Sequence, residues 1–370
     1  MTALLRVVLD QIVAPTDADC ARAARELTRA LVATAPTGCA VAGIVPHAPD
    51  AAAAVEAAVP GVVELARAPL ARRELAAAWQ LGVPSSVSGG MIHSPTLMAP
   101  LVKHDRLHDH DQTVVTLWDL DAWDRPGELA RGAVTWQKAM LKRAVKHADA
   151  VVVPGHAFAA RVAEIAPLGD RVRVIAGAAA AGLTVPTDEV GRRRALDLPD
   201  GFLLLAGSSA PSADLSAALA AVAQSGTDLP IVVLDVPEGD EPAVVELAVA
   251  VGVAAERVHA RGALEDSDRG AVYGGALAFL APSRLHAFPW RVVDALALGV
   301  PVIAADTDTH REIVWDGGVL VASDGWVDAL GALLSSSADV ERAGVLAADR
   351  GRAFSWLGAG ERVWQLHADL

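Results

Sequence analysis

The chain has 370 residues, 53% hydrophobic, 21% charged and only 4% aromatic, which suits two globular domains better than one core. Its formal net charge of -14 excludes a general nucleic-acid binder, because neutralising phosphates needs an excess of Lys and Arg. The two cysteines, Cys20 and Cys39, have neither metal nor redox spacing, so a reduced, cytoplasmic setting is expected.

The first element, "LLRVVLDQIVA", is apolar but interrupted by Arg6 and Asp10, and it lacks a basic leader and cleavage site. It reads as a buried strand. The alanine-rich runs near 51–58 and 176–181 fall short of a membrane span. Further strands are expected at "CAVAGIV", "QTVVTLW", "DAVVVP" and "RVRVIA", separated by helix-like stretches such as "ARAARELTRALVA" and "WQKAMLKRAVKHA". Such alternation implies an α/β fold with a parallel sheet. The rhythm breaks near 179–200, where Gly, Pro and a charge run read as a linker, and restarts with "FLLLAG", "PIVVLDV", "RVHARG", "LAFLAPS" and "VPVIAAD". The expectation is therefore two doubly wound domains, 1–183 and 184–350, with terminal helices over 351–370 returning to the first domain. A ligand is expected in a central cleft, at the carboxyl ends of the strands.

The segment "APSRLHAFPWRVVDALALGVPVIAAD" (Ala281 to Asp306) places a strand, a turn, a helix and a second strand in succession. A helix N-terminus presented this way favours an anion, and a diphosphate is the obvious candidate. The stretch resembles the donor-site motif of family 4 glycosyltransferases with the GT-B fold, "PS-x-x-E-G-F-G-x-x-x-x-E-A-x-A-x-G-x-P-V-I-A". Pro282, Ser283, Phe288, Ala295, Ala297, Gly299, Pro301, Val302, Ile303 and Ala304 stand in register. "HREIVWDGGVLV", with Glu312, resembles the family's "PEVV-x-x-G-x-LV", and "FLLLAGSSAPSADL", with Gly207, resembles its "yllyvGtlePrKNl". "MIHSPTLMAPL", "TVVTLWDLDAW" and the closing "RAFSW" extend the likeness over most of the chain.

The resemblance implies a GT-B architecture, two Rossmann-like doubly wound parallel-sheet domains, and transfer of a hexose from a nucleotide-diphosphate sugar. Asp294 would hold the ribose, Arg291 and the 288–292 backbone the diphosphate, and Glu312 the nucleotide side, with Phe288, Ser283 and Gly207 completing the donor site. His286, Asp119 and Trp118 would border the sugar. No cofactor beyond the donor is implied, and no metal. The acceptor would be a glycan or a lipid-linked molecule, and the protein cytoplasmic or peripheral to the inner face of a membrane.

Several positions depart from the motif. The family's two glutamates become His286 and Asp294, and its glycines become Ala287 and Pro289, the latter deleting a backbone N–H. The "HD" pair becomes Trp118-Asp119, and "RKN" becomes Ser212-Ala213-Asp214. Every lysine lies between 103 and 146, so none in the second domain replaces the lost one. The first turn, "DQIVAPTDADCARA", has no glycine to let the backbone approach a ligand. Losing one preorganised charge contact to the leaving group typically costs about 3–4 kcal/mol of transition-state stabilisation. Arg261, Arg284 and Arg291 are the candidate replacement cations, with Arg291 the best placed. The alternative reading is a catalytically degenerate homologue that serves as partner or scaffold for an active glycosyltransferase, or as a homo-oligomer.

Three other features carry weaker expectations. "KHDRLHDHD" (Lys103 to Asp111) offers His104, His108 and His110, which read better as a polar loop than as a zinc site. Lys138, Lys142, Arg143 and Lys146 form either a solvated helix face or a surface for anionic lipid. Trp123, Trp136, Trp315 and Trp326 are expected in the core, whereas Trp118 and Trp290 border the cleft.

Overall fold

The computed structural model describes residues 3–105, 110–285 and 287–370, in two compact units. One comprises the residues up to Gly177 together with Ser355–Leu370, the other Ala178–Phe354. Each is built on a parallel sheet.

In the first unit, among the described residues, the strands are β1 (Ala3–Val8), β2 (Cys39–Val45), β3 (Leu65–Arg67), β4 (Met91–Ser94), β5 (Gln112–Thr116), β6 (Ala150–Val153) and β7 (Val172–Val174). Their spatial order is β3-β2-β1-β4-β5-β6-β7. Register runs from Ala3 opposite Cys39 to Val8 opposite Ile44, and Leu5 faces Met91 on the other side. The second unit holds β8 (Phe202–Ala206), β9 (Ile231–Leu234), β10 (Val258–Ala260), β11 (Ala276–Ala281), β12 (Val302–Ala305) and β13 (Gly318–Val321), ordered β10-β9-β8-β11-β12-β13. Central strands such as β6 and β9 are apolar and buried along their whole length, because helices cover both faces of a parallel sheet. In both sheets the chain reverses its direction of winding beside the first strand, between β1 and β4 and between β8 and β11.

The core of the second unit gathers Leu203, Leu205, Ile231, Val233, Leu280 and Ile303 from the sheet against Leu219, Trp326 and Leu330 from helices. Helix starts follow local chemistry. Asp17 accepts from the Cys20 N–H at 2.8 Å to open the Ala18–Ala33 helix. Ser355, in the "FSW" stretch, caps the Trp356–Asp369 helix by accepting from the Gly358 N–H at 3.2 Å. Each such cap contributes about 1 kcal/mol.

The Trp356–Asp369 helix packs on the Ala18–Ala33 helix within the first unit. A Cβ on Gly360 would lie 2.9–3.1 Å from Thr34 and Ala30 atoms, so glycine permits the close approach. Trp364 then donates its indole N–H to the Leu31 carbonyl at 3.0 Å.

The structure differs from the expected elements in three respects. Strands β3, β4 and β13 carry three or four residues each, too few to show a period, and were not foreseen. The charge run expected to be a linker contains the Glu189–Ala195 helix, part of the second unit. Arg193 is buried there, donating to the Ala271 carbonyl at 3.1 Å and pairing with Glu189 at 3.2 Å. Just before it the chain presses on Gly270, where a Cβ would meet the Thr184 carbonyl oxygen at 2.0 Å. Trp315, expected in the core, is 71% exposed: it occupies the C-cap of the Asp308–Val314 helix at φ +50°, on the turn before β13.

Candidate functional site

In an open α/β sheet, ligands bind outside the carboxyl ends of the strands where the winding reverses. In the second unit this point lies between the loops after β8 and β11. Those loops are stitched together: the buried Ser283 hydroxyl donates to the Ser212 carbonyl at 2.7 Å, and the Leu285 N–H donates to the same hydroxyl at 3.4 Å. Gly207 ends β8 at φ +134°, a conformation open to glycine, and a Cβ there would press to 3.2 Å on Ala213. Downstream, the Ser209 N–H and hydroxyl donate to Asp240 at 2.7 and 2.5 Å, fixing the rest of the turn.

The loop after β11 feeds the Trp290–Ala297 helix. Pro289 stands at its N-cap position, with no side-chain cap. Phe288 and Trp290 are buried and pack edge-to-face, centroids 4.6 Å apart. Asp294 is 0% exposed and lies 3.9 Å from the Arg291 guanidinium. Arg291 is ion-paired with Asp235, the residue after β9, and Asp235 also receives both guanidinium nitrogens of Arg269 at 2.7 and 3.1 Å. Burial pushes the Asp235 carboxyl up, but the hydrogen bonds and charges of Arg269 and Arg291 outweigh it and leave it at about 2. Tyr273, fully buried with its hydroxyl pushed up by burial, donates to the Arg291 carbonyl at 3.2 Å.

The other two candidate cations differ in their commitments. Arg261 donates to the carbonyls of Leu196 and Asp197 at 2.8–3.0 Å, tying strand end to loop. Arg284 is exposed and reaches the Asp306 carbonyl at 3.3 Å. Its charge opposes the burial that pushes the Asp214 carboxyl up. Glu312 is half-buried on the Asp308–Val314 helix, and Arg350 donates to its backbone carbonyl at 2.7 Å. His286 lies outside the described residues.

Trp118 and Asp119 belong to the first unit, at the carboxyl end of β5. Trp118 is buried and donates to the Pro95 carbonyl at 2.8 Å. Asp119 accepts from the Asp121 N–H at 3.1 Å, and burial, reinforced by the Asp121 charge, raises its carboxyl to about 6. His104 pairs with Asp149 at 2.8 Å, and that hydrogen bond raises its pKa. Asp149 in turn accepts from the Thr113 N–H at 2.7 Å, which makes His104 a brace on β5. Its motif neighbour His108 lies outside the described residues. Lys138, Lys142 and Lys146 are exposed along one face of the Arg131–His147 helix.

The structure thus places Ser283, Phe288, Arg291 and Asp294 on the loop and helix that follow β11. The Asp235–Arg269–Tyr273 cluster was missed by sequence reasoning. The signal was an aspartate closing the apolar run "IVVLD", at φ +58°.

Residues 212–336 match the family described as Glycosyl transferases group 1. A D-inositol 3-phosphate glycosyltransferase of Nocardia farcinica is 31% identical over 159 residues, covering 38% of this chain and 35% of the relative. The chain thus spans about a third of the length of the curated relatives it matches. Among solved structures, a sucrose-phosphate synthase of Thermosynechococcus elongatus superposes over 99% of this chain and 98% of its own, with TM-score 0.70 and 18% identity. Anabaena HepE, in complex with UDP and glucose, covers all of both chains with TM-score 0.69 and 15% identity. Two Rossmann-like parallel-sheet units with these neighbours define the GT-B glycosyltransferase fold. Within the second unit, residues 212–336 resemble the group 1 glycosyl transferases.

Proposed function

We propose that the chain transfers a hexose from a nucleotide-diphosphate sugar to an acceptor, in the manner of family 4 glycosyltransferases. The observation that carries this reading is positional. The 212–336 match begins at the loop after β8 and includes the loop after β11, the two segments that Ser283 and Ser212 join at the winding reversal. A donor diphosphate fits there against the start of the Trp290–Ala297 helix, with Arg291 and Arg284 as the nearby cations. HepE, which shares the fold, is seen with UDP and with UDP-glucose, and this supports a nucleotide sugar as donor.

Asp294 is assigned to the ribose and Glu312 to the nucleotide side. Because Asp294 is fully buried, ribose binding requires its carboxylate to be uncovered. The roles of His286, Trp118 and Asp119 beside the sugar rest on the motif alone. In this reading the leaving group is offset by arginine and helix N-termini, with no further cofactor. The acceptor is a glycan or lipid-linked molecule, and the setting cytoplasmic or peripheral to a membrane. No described helix is long and apolar enough to cross one. The reading as a non-catalytic partner finds no support in the matched proteins.

Calorimetry and thermal shift against UDP, GDP and their sugar conjugates test the proposal. A true donor at 100 times its Kd stabilises the fold by about 2.7 kcal/mol. A flat response across the panel rules the reading out.

A further inference from the structure

We propose that Asp235 sets donor affinity by acting as an internal counter-anion that holds Arg291 in place of a diphosphate. This rests on the nucleotide-sugar reading above and names the residue that regulates its strength.

Asp235 follows β9 and Arg291 begins the helix after β11, while β8 lies between those strands in the sheet. Their ion pair therefore crosses over the end of β8, beside the reversal point where an anionic ligand would sit. The cluster is closed in charge: Arg269 and Arg291 face Asp235 and Asp294. A diphosphate arriving at a neutral cluster gains little, whereas one that displaces Asp235 from Arg291 gains a full cation.

The two arginines are not equivalent. Arg269 side-chain exposure is 8%, and it grips both carboxylate oxygens of Asp235. The side chains of Arg291 and Asp235 are 19% and 17% exposed, so that pair is the open edge of the cluster. Tyr273 fixes the Arg291 backbone through its carbonyl and leaves the side chain to choose its partner. Arg269 keeps Asp235 neutralised when Arg291 turns to a phosphate. The positive φ of Asp235 marks a backbone that an ordinary L-residue adopts at some strain, and aspartate is among the residues that tolerate it best.

The probe is inorganic pyrophosphate, titrated calorimetrically into the full chain. Asp235→Asn should bind it at least tenfold more tightly than the unmutated protein, and adding Arg291→Ala to that variant should erase the gain. Equal affinity, or a gain that survives Arg291→Ala, overturns the proposal. A second measurement needs no variant to fold. In the unmutated protein the Arg291 side-chain N–H resonance should shift on pyrophosphate addition while that of Arg269 stays; an unmoved Arg291 resonance also overturns it. Parallel titrations with UDP separate the two ideas: a variant that gains pyrophosphate affinity but takes no nucleotide upholds the counter-anion and removes the nucleotide reading.

Discussion

Both units place an aspartate just beyond a strand and neutralise it with arginine from a helix, yet the two carboxyls behave oppositely. In the first unit Asp10 follows β1, 1% exposed, and accepts from Arg72 at 2.9 Å and from Gln11 at 3.0 Å. Burial exceeds what one partly exposed guanidinium returns, and the Asp10 carboxyl is raised. In the second unit Asp235 meets two guanidiniums, and its carboxyl falls to about 2. Asp235 meets more cations and, with 17% of its side chain exposed against 1% for Asp10, a smaller desolvation.

The sharpest way to break this contrast is to remove each carboxylate. Asp235→Ala leaves Arg269 and Arg291 without their shared anion and should destabilise the second unit by about 4 kcal/mol. Asp10→Asn, which keeps the shape of a group already costly to ionise, should cost about 1 kcal/mol. Denaturant unfolding of the full chain, followed by probes in each unit, checks both; equal losses would dissolve the distinction.

Acid should separate the units next. In the first, His367 contacts Gln112 at 3.0 Å and His93 at 3.4 Å, and burial lowers its pKa to about 4. His93 is lowered too, by burial and then by His367. These imidazoles are neutral when folded and take up protons near 6.5 when unfolded. The His367 contribution is therefore whole above pH 6.5 and is lost as pH falls towards 4, about 3 kcal/mol, and that of His93 is lost in the same direction. Asp235, depressed to about 2, keeps its contribution until pH drops below roughly 4 and loses it towards 2. Asp119 in the first unit, raised to about 6, gains stability over the same fall in pH as the histidines and offsets their loss. The histidine effect is therefore read by comparison: His367→Gln should lose less stability than the unmutated chain between pH 6 and 4, as followed by circular dichroism and unit-specific fluorescence.

The smallest effect concerns the stitch between the loops after β8 and β11. Ser283→Ala removes its buried hydrogen bond to the Ser212 carbonyl and should cost about 1 kcal/mol, read as a shift in denaturation midpoint at constant slope.

Much of the architecture was legible along the chain. Long apolar runs such as "CAVAGIV" and "FLLLA" are buried on both sides and declare themselves as parallel strands. The strand, turn and helix from Pro282 to Ala304 were legible because glycine, proline and serine there answer backbone demands that are local. Strand β3 and the helix hidden in "EVGRRRA" were not legible, since three residues or a charge run acquire meaning from what packs on them.

Sequence by itself determined that two parallel-sheet units exist and that the segment holding Ser283, Arg291 and Asp294 resembles a glycosyltransferase donor-site motif. Tertiary structure decided that Arg291 pairs with Asp235, 56 positions away, and that Asp294 is fully buried. Hydrophobic period and turn chemistry act between near neighbours and are written in order along the chain. An ion pair is set by distance in space, and that distance exists only after β9, β8 and β11 have been laid side by side.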